Sequence, residues 1–202
     1  MATIDFVTLE VADLTAAERF YATAFDVGPR LRLRESAAPT AGFRGFTISL
    51  LVTQPAGVDT LVRSAVDAGA TALKPAASSL WGYGGVVQAP DGTVWTVASS
   101  SKKDTGPARR EIDDVVLQLG VADVEASKRF YADHGLTPTK SFGRRYAEFD
   151  TGPVKLTLNK RAALAKVSAV PSDGSGAHRL AIGGDLGPLT DPDGFEWERA
   201  SA

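Results

Sequence analysis

One pair of motifs occurs twice in this chain, in the same order and at nearly the same spacing. Val11-Ala12-Asp13 precedes Arg19-Phe20-Tyr21, and Val121-Ala122-Asp123 precedes Arg129-Phe130-Tyr131 at the same offset. Later, Ala89-Pro90-Asp91-Gly92-Thr93-Val94-Trp95 is echoed by Asp191-Pro192-Asp193-Gly194-Phe195-Glu196-Trp197. Self-similarity of this kind means a duplicated structural unit. The polar stretch over 101–107, with its Gly106-Pro107 breaker, reads as the linker between a first domain over 1–100 and a second over 108–202.

Each copy is α+β by period. Ile4, Phe6, Thr8 and Glu10 alternate with Asp5, Val7, Leu9 and Val11, which predicts a strand. Asp13 then caps a helix that carries Ala16, Ala17, Phe20, Tyr21 and Ala24 at helical spacing. Strands are expected near 30–35 and 45–53, a helix over 58–68 ending at Gly69, and two strands flanking the 89–92 turn. The second copy repeats the strand and helix over 112–121 and 125–134, with strands near 145–150 and 154–159. Its later half is shorter: a helical turn or two at 161–166, a loop at 171–176, then strands near 178–182 and 195–199.

The totals exclude several functions. With 44% hydrophobic residues in 202, there is enough apolar content for real cores. A formal net charge of -2 without basic stripes or acidic tails argues against a nucleic-acid partner. The chain has no cysteine, so disulfides and thiolate chemistry are excluded. No stretch approaches the ~20 apolar residues of a membrane span, and no signal-peptide pattern stands at the start, so a cytoplasmic location is expected.

A strand, an Asp-capped helix carrying Phe-Tyr, a β meander, and a second module closing on Pro-Asp-Gly-x-x-Trp resemble the vicinal-oxygen-chelate superfamily of glyoxalases, bleomycin resistance proteins and dioxygenases. The resemblance covers nearly the whole chain, twice. It implies two tandem glyoxalase-like domains, built from paired βαβββ modules whose mixed sheets curl into cups around a small molecule. Leu80-Trp81-Gly82-Tyr83-Gly84-Gly85 is similar to the segment that walls this cavity in many members.

In metal-dependent members, His, Gln or Glu on cup-facing strands hold one divalent ion. The resemblance puts Phe6, Phe46 or Thr47, and Thr96 at these places in the first domain, and none suits the task. In the second domain it puts Val116 at the first position and His178 and Glu198 at later ones, with Asp114 two residues before Val116 on the same strand face. The favoured expectation is no cofactor, with His178 and Glu198 hydrogen-bonded to each other in a metal-free cavity. The alternative is a single iron, manganese, nickel or zinc ion on Asp114, His178 and Glu198.

Other candidates come from the residues themselves. Glu10 shares a strand face with Phe6 and Thr8; a carboxylate there is costly unless paired, which makes it a candidate general base. Gln118 is its analogue in the second copy. Trp81 and Tyr83 offer stacking surface from a glycine-rich loop, while Trp95 and Trp197 read as core. Arg30, Arg32 and Arg34 alternate on one strand, either as a solvated face or for an anionic ligand. His134, before Gly135, suits a helix end. Ligand contacts are therefore expected from Phe6, Thr8, Phe46, Trp81, Tyr83 and Gln118, and acid–base chemistry, if any, from Glu10, His178 and Glu198. The leading expectation is small-molecule binding of the resistance or sequestration type, by a monomer or homodimer. An enzyme of lyase, isomerase or dioxygenase-like activity comes second, and a scaffold without cavity chemistry third.

Overall fold

A computed structural model describes residues 2–200. The chain forms four successive modules, two per copy. The first holds β1 (Ile4–Val11), α1 (Leu14–Ala24), β2 (Leu31–Glu35) and a short β3 (Thr40–Gly42). The second is a complete βαβββ unit of β4 (Phe46–Leu51), α2 (Pro55–Asp67), β5 (Thr71–Ser79), β6 (Gly82–Gln88) and β7 (Val94–Ser99). The third is complete as well: β8 (Asp114–Val121), α3 (Val124–Asp133), β9 (Pro138–Ser141), β10 (Tyr146–Phe149) and β11 (Val154–Lys160). The fourth is eroded, with a short α4 (Arg161–Val167), β12 (Gly174–Gly176), β13 (Leu180–Gly184), β14 (Leu189–Thr190) and β15 (Glu196–Arg199).

The local signals act where expected. The Asp13 carboxylate accepts from the Ala16 N–H, and Asp123 accepts from Glu125 and Ala126, so both duplicated Asp residues are N-caps. Gly69 takes a φ of +111° after α2, a conformation that a side chain would strain. α2 starts at Pro55, earlier than the periodicity implies, because proline is favoured in a helix's first turn. The expected face of β1 is corrected at its start. A register irregularity between Ile4 and Phe6 turns Ile4 to the core with Val7, Leu9 and Val11, leaving Phe6, Thr8 and Glu10 on the other face.

The strands make two principal sheets, and each takes strands from both copies. The eight-stranded sheet runs β5-β6-β7-β4-β8-β11-β10-β9, joining the second module to the third. The five-stranded sheet runs β14-β15-β13-β1-β2, joining the fourth module to the first. In each, one strand's outer edge, left open by its own module, pairs antiparallel with the other copy: β4 with β8, and β1 with β13. Pairing hides edges that would otherwise be exposed. The 101–107 segment thus divides the sequence repeat without dividing the sheets. The inner faces of both sheets share one apolar cluster that runs from Ile4 to Trp197 and includes Trp95, Tyr131 and Phe149.

The duplicated motifs tie the sheets together. Tyr21 on α1 donates to the Asp91 carboxylate at 2.7 Å, ahead of β7, and the Trp95 indole donates to the Tyr21 oxygen at 3.3 Å. Tyr131 on α3 donates to Asp191 at 2.5 Å, ahead of β15. Each bond crosses from a module of one sheet to the other. Among the described residues no helix is long and apolar enough to cross a membrane.

Candidate functional site

Alternation along the central strands of the eight-stranded sheet separates core from cavity. Ile48, Leu50, Leu117, Leu119 and Leu156 face the core. Thr47, Ser49, Thr96, Gln118 and Thr157 therefore face the opposite, concave side. At its floor the Thr47 hydroxyl donates to Gln118 Oε1 at 2.9 Å across the β4–β8 seam.

Two chambers lie on this face, and no residue lines both. The larger, about 670 Å³, is walled by Ser49, Thr96, Gln118, Val86 and Trp81, with Val167 at the end of α4. α4 rests on the Gln118 face beside it. A Cβ on Gly120 would come within 3.0 Å of the Arg161 Cα, so glycine lets the helix approach. Trp81 stands at the β5–β6 turn, 87% exposed, and gives the chamber an apolar rim. Tyr83, expected as a ligand contact, turns its ring to the core face that it shares with Val87 and Trp95, and its hydroxyl donates to Asp59 on α2 at 2.8 Å; that hydrogen bond and burial raise its pKa.

Phe46, expected as a ligand contact in this cup, packs into the shared core and meets only the edge of the smaller chamber. It is 2% exposed in the shared core, because the register of β4 turns Thr47 to the cavity instead. The other concave positions offer hydroxyls, the Gln118, Asn159 and Gln88 amides and, across from Thr157, the Glu148 carboxylate, which accepts from the Tyr146 hydroxyl at 2.9 Å. Asp114, on the same strand face as Gln118, pairs with Lys155 at 2.9 Å. Among the described residues no group of three or more His, Cys, Asp or Glu is placed to hold a metal ion. Neutral hydroxyls are weak donors for divalent iron, manganese, nickel or zinc, so the seam does not fit the ion that the fold's metal-dependent relatives would place there.

The five-stranded sheet uses its concave side differently. Phe6 lies over Gly183, where a Cβ would stand 2.2 Å from the ring, and the Arg32 guanidinium stacks 3.4 Å above the Phe6 centroid. Arg34 spans Glu10 at 2.7 Å and Glu198 at 2.8 Å, while Thr8 donates to Glu198 at 2.6 Å. Burial pushes the Glu198 pKa up, but Thr8, Arg34 and Arg32 outweigh it and hold the carboxyl below its ordinary value. Glu10 and Glu198, expected in separate domains, are thus joined by one cation. Of the alternating arginines, Arg30 turns aside to the Val27 carbonyl and the other two are occupied within the protein.

His178 is separated from both of its expected partners. Its ring nitrogens face the carbonyl oxygens of Arg44, at 2.5 Å, and Asp193, at 3.1 Å, and it stacks on Phe195. Asp114 belongs to the eight-stranded sheet and Glu198 to the five-stranded one, so the expected triad is not assembled. The His178–Glu198 hydrogen bond is likewise replaced by these other contacts. Reading the copies as self-contained put these three residues in one cup. His134 caps α3 as expected, its Nδ1 2.7 Å from the Phe130 carbonyl. Sequence reasoning missed Ser49, Thr157 and Arg44. Alternation from Thr47 and a pairing of β4 with β8 would have found the first two.

No family model matches the chain, and neither does any curated protein. Solved structures do resemble it. Glyoxalase I from Zea mays superposes with a TM-score of 0.59 at 17% identity, covering 98% of this chain and 91% of that one. A variant of the same maize protein gives 0.60 at 16% identity, covering 98% and 93%. A proposed dioxygenase from Bacillus subtilis gives 0.56 at 12% identity, covering 90% of this chain and 69% of its own. The fold is that of glyoxalase I, the vicinal-oxygen-chelate fold, along nearly the whole chain.

Proposed function

We propose that this chain is a small-molecule-binding protein of the resistance or sequestration type, which takes its ligand in the open chamber of the eight-stranded cup without a metal. The observation that carries this reading is the composition of the concave face. It combines a chamber of about 670 Å³ with hydroxyl and amide groups, and among the described residues no group of three or more His, Cys, Asp or Glu is placed to hold a metal. Pockets of this size and polarity suit a small organic molecule held by a few hydrogen bonds over apolar walls. Gln118 and Ser49 supply the hydrogen bonds, and Trp81 supplies stacking surface. The five-stranded cup, stapled by Arg34 and filled by Phe6, supports the structure.

A thermal-shift screen with small aromatic compounds tests this reading. A ligand at a hundred times its dissociation constant adds about 2.7 kcal/mol to stability. Gln118→Leu and Trp81→Ala are expected to weaken each hit without lowering the unliganded midpoint by a comparable amount. Turnover of a hit by the chelator-treated protein would instead support the enzyme reading.

A further inference from the structure

The second chamber on the concave face, about 440 Å³, lies where β3, the start of β4, the β6–β7 turn and the segment after α4 converge. Phe43, Leu73, Val94 and Val170 give it apolar walls, with the Gln88 amide and Arg44 set into them. The Thr40 hydroxyl on its wall is shielded from solvent and has no hydrogen-bond partner among the described residues.

Arg44 is the unusual member. Its guanidinium donates to the Asp91 backbone carbonyl and, at 3.4 Å, to the Thr93 hydroxyl. The ion pairs among the described residues are Arg34 with Glu10 and Glu198, Lys128 with Glu125, and Lys155 with Asp114; Arg44 is in none of them. The Asp91 carboxylate is engaged by the Tyr21 hydroxyl and the Thr93 N–H. Asp173 lines the chamber's exposed side. Burial draws the Arg44 pKa down, with Arg179 adding to that and Asp91 and Tyr21 opposing it. Arginine nevertheless stays charged at ordinary pH. A half-buried guanidinium in an apolar chamber is costly without an anion, and its planar fork matches a carboxylate.

We propose that this chamber is a second binding site, separate from the open one, for a small apolar carboxylate whose head pairs with Arg44 and whose body packs on Phe43, Leu73 and Val170. The site does not depend on what the open chamber binds. The test uses 2-naphthoate and its neutral amide, followed by amide NMR shifts on the intact chain. The acid is expected to move signals from residues 40–46, 88–94 and 169–173. It should bind the native chain about ten- to a hundredfold more tightly than the Arg44→Gln variant, while the amide shows no such preference. Val170→Trp, which fills the chamber from its half-buried rim, should abolish acid binding; it serves as the decisive variant if Arg44→Gln does not fold. Equal affinity for acid and amide, shifts confined to the surroundings of Ser49, Thr96 and Gln118, or unchanged binding in the variants would each overturn the proposal.

Discussion

Thr47 donates to Gln118 at 2.9 Å across the seam where the first copy's β4 meets the second copy's β8. The bond joins residues 71 positions apart and holds Gln118, which lines the open chamber, against a fully buried Thr47. It uses the Gln118 carbonyl, while the amide nitrogen has no protein hydrogen bond among the described residues and stays available to a ligand. The floor is therefore polar and neutral. Such a surface recognises hydrogen-bonding groups without the charge concentration that captures a divalent ion.

The tyrosine locks differ in burial, and their removal should differ in cost. Asp191 is 5% exposed, whereas Asp91 is half-buried. Tyr131→Phe strips a buried carboxylate of a 2.5 Å donor and is expected to cost about 1–3 kcal/mol. Tyr21→Phe also leaves the buried Trp95 indole N–H without its acceptor; made in a Trp95→Phe background, which removes that donor, it should cost less, about 1 kcal/mol, because water can reach Asp91. Urea unfolding of both variants measures the difference, and equal losses would contradict the burial argument.

Two carboxylates near the end of the chain should give opposite pH signatures. Glu198 is held below its ordinary value of 4.5, so its contribution to stability is present above 4.5 and lost as pH falls through the lower folded value. Asp191 is raised above 3.8, chiefly by burial. Its contribution is present below 3.8 and lost as pH rises through the raised folded value. Glu198→Gln should thus flatten the acid side of the stability profile. Asp191→Asn should gain on the native chain as pH rises through that higher window. Denaturation midpoints across pH 3 to 7 separate the two.

Gly183 is the place where the five-stranded cup is closed. A methyl group there would stand 2.2 Å from the Phe6 ring, so Gly183→Ala should destabilise by about 1–3 kcal/mol. Adding Phe6→Leu makes room for the methyl group and should recover part of that loss, a coupling that a double-mutant cycle reads directly. Additive losses would mean that the glycine is needed for its backbone alone.

The fold was legible because its signals are local. The Asp13 and Asp123 caps, Gly69, and the alternation of Val7, Leu9 and Val11 each act within a few residues, and each recurs or is reinforced in the structure. The candidate sites were less legible because cavity membership depends on which strand edges meet. Glu10 and Glu198 read as members of separate domains, yet Arg34 holds both, because β1 pairs with β13. His178 and Asp114 read as neighbours under self-contained copies, and the exchange of modules puts them on different parts of the molecule. Phe46 and Thr47 could not be told apart because a one-residue choice of register reverses the face. β5 escaped notice because Thr71–Ser79 carries little apolar alternation and is mostly exposed.

Metal content tests the central claim most directly. Elemental analysis of the intact chain, purified without chelators and dialysed, should find no stoichiometric iron, manganese, nickel or zinc, in keeping with the hydroxyl and amide groups around Thr47, Thr96, Gln118 and Thr157. About one equivalent of any of these metals per chain, lost on Gln118→Leu, would contradict metal-free binding and return the eight-stranded cup to metal chemistry.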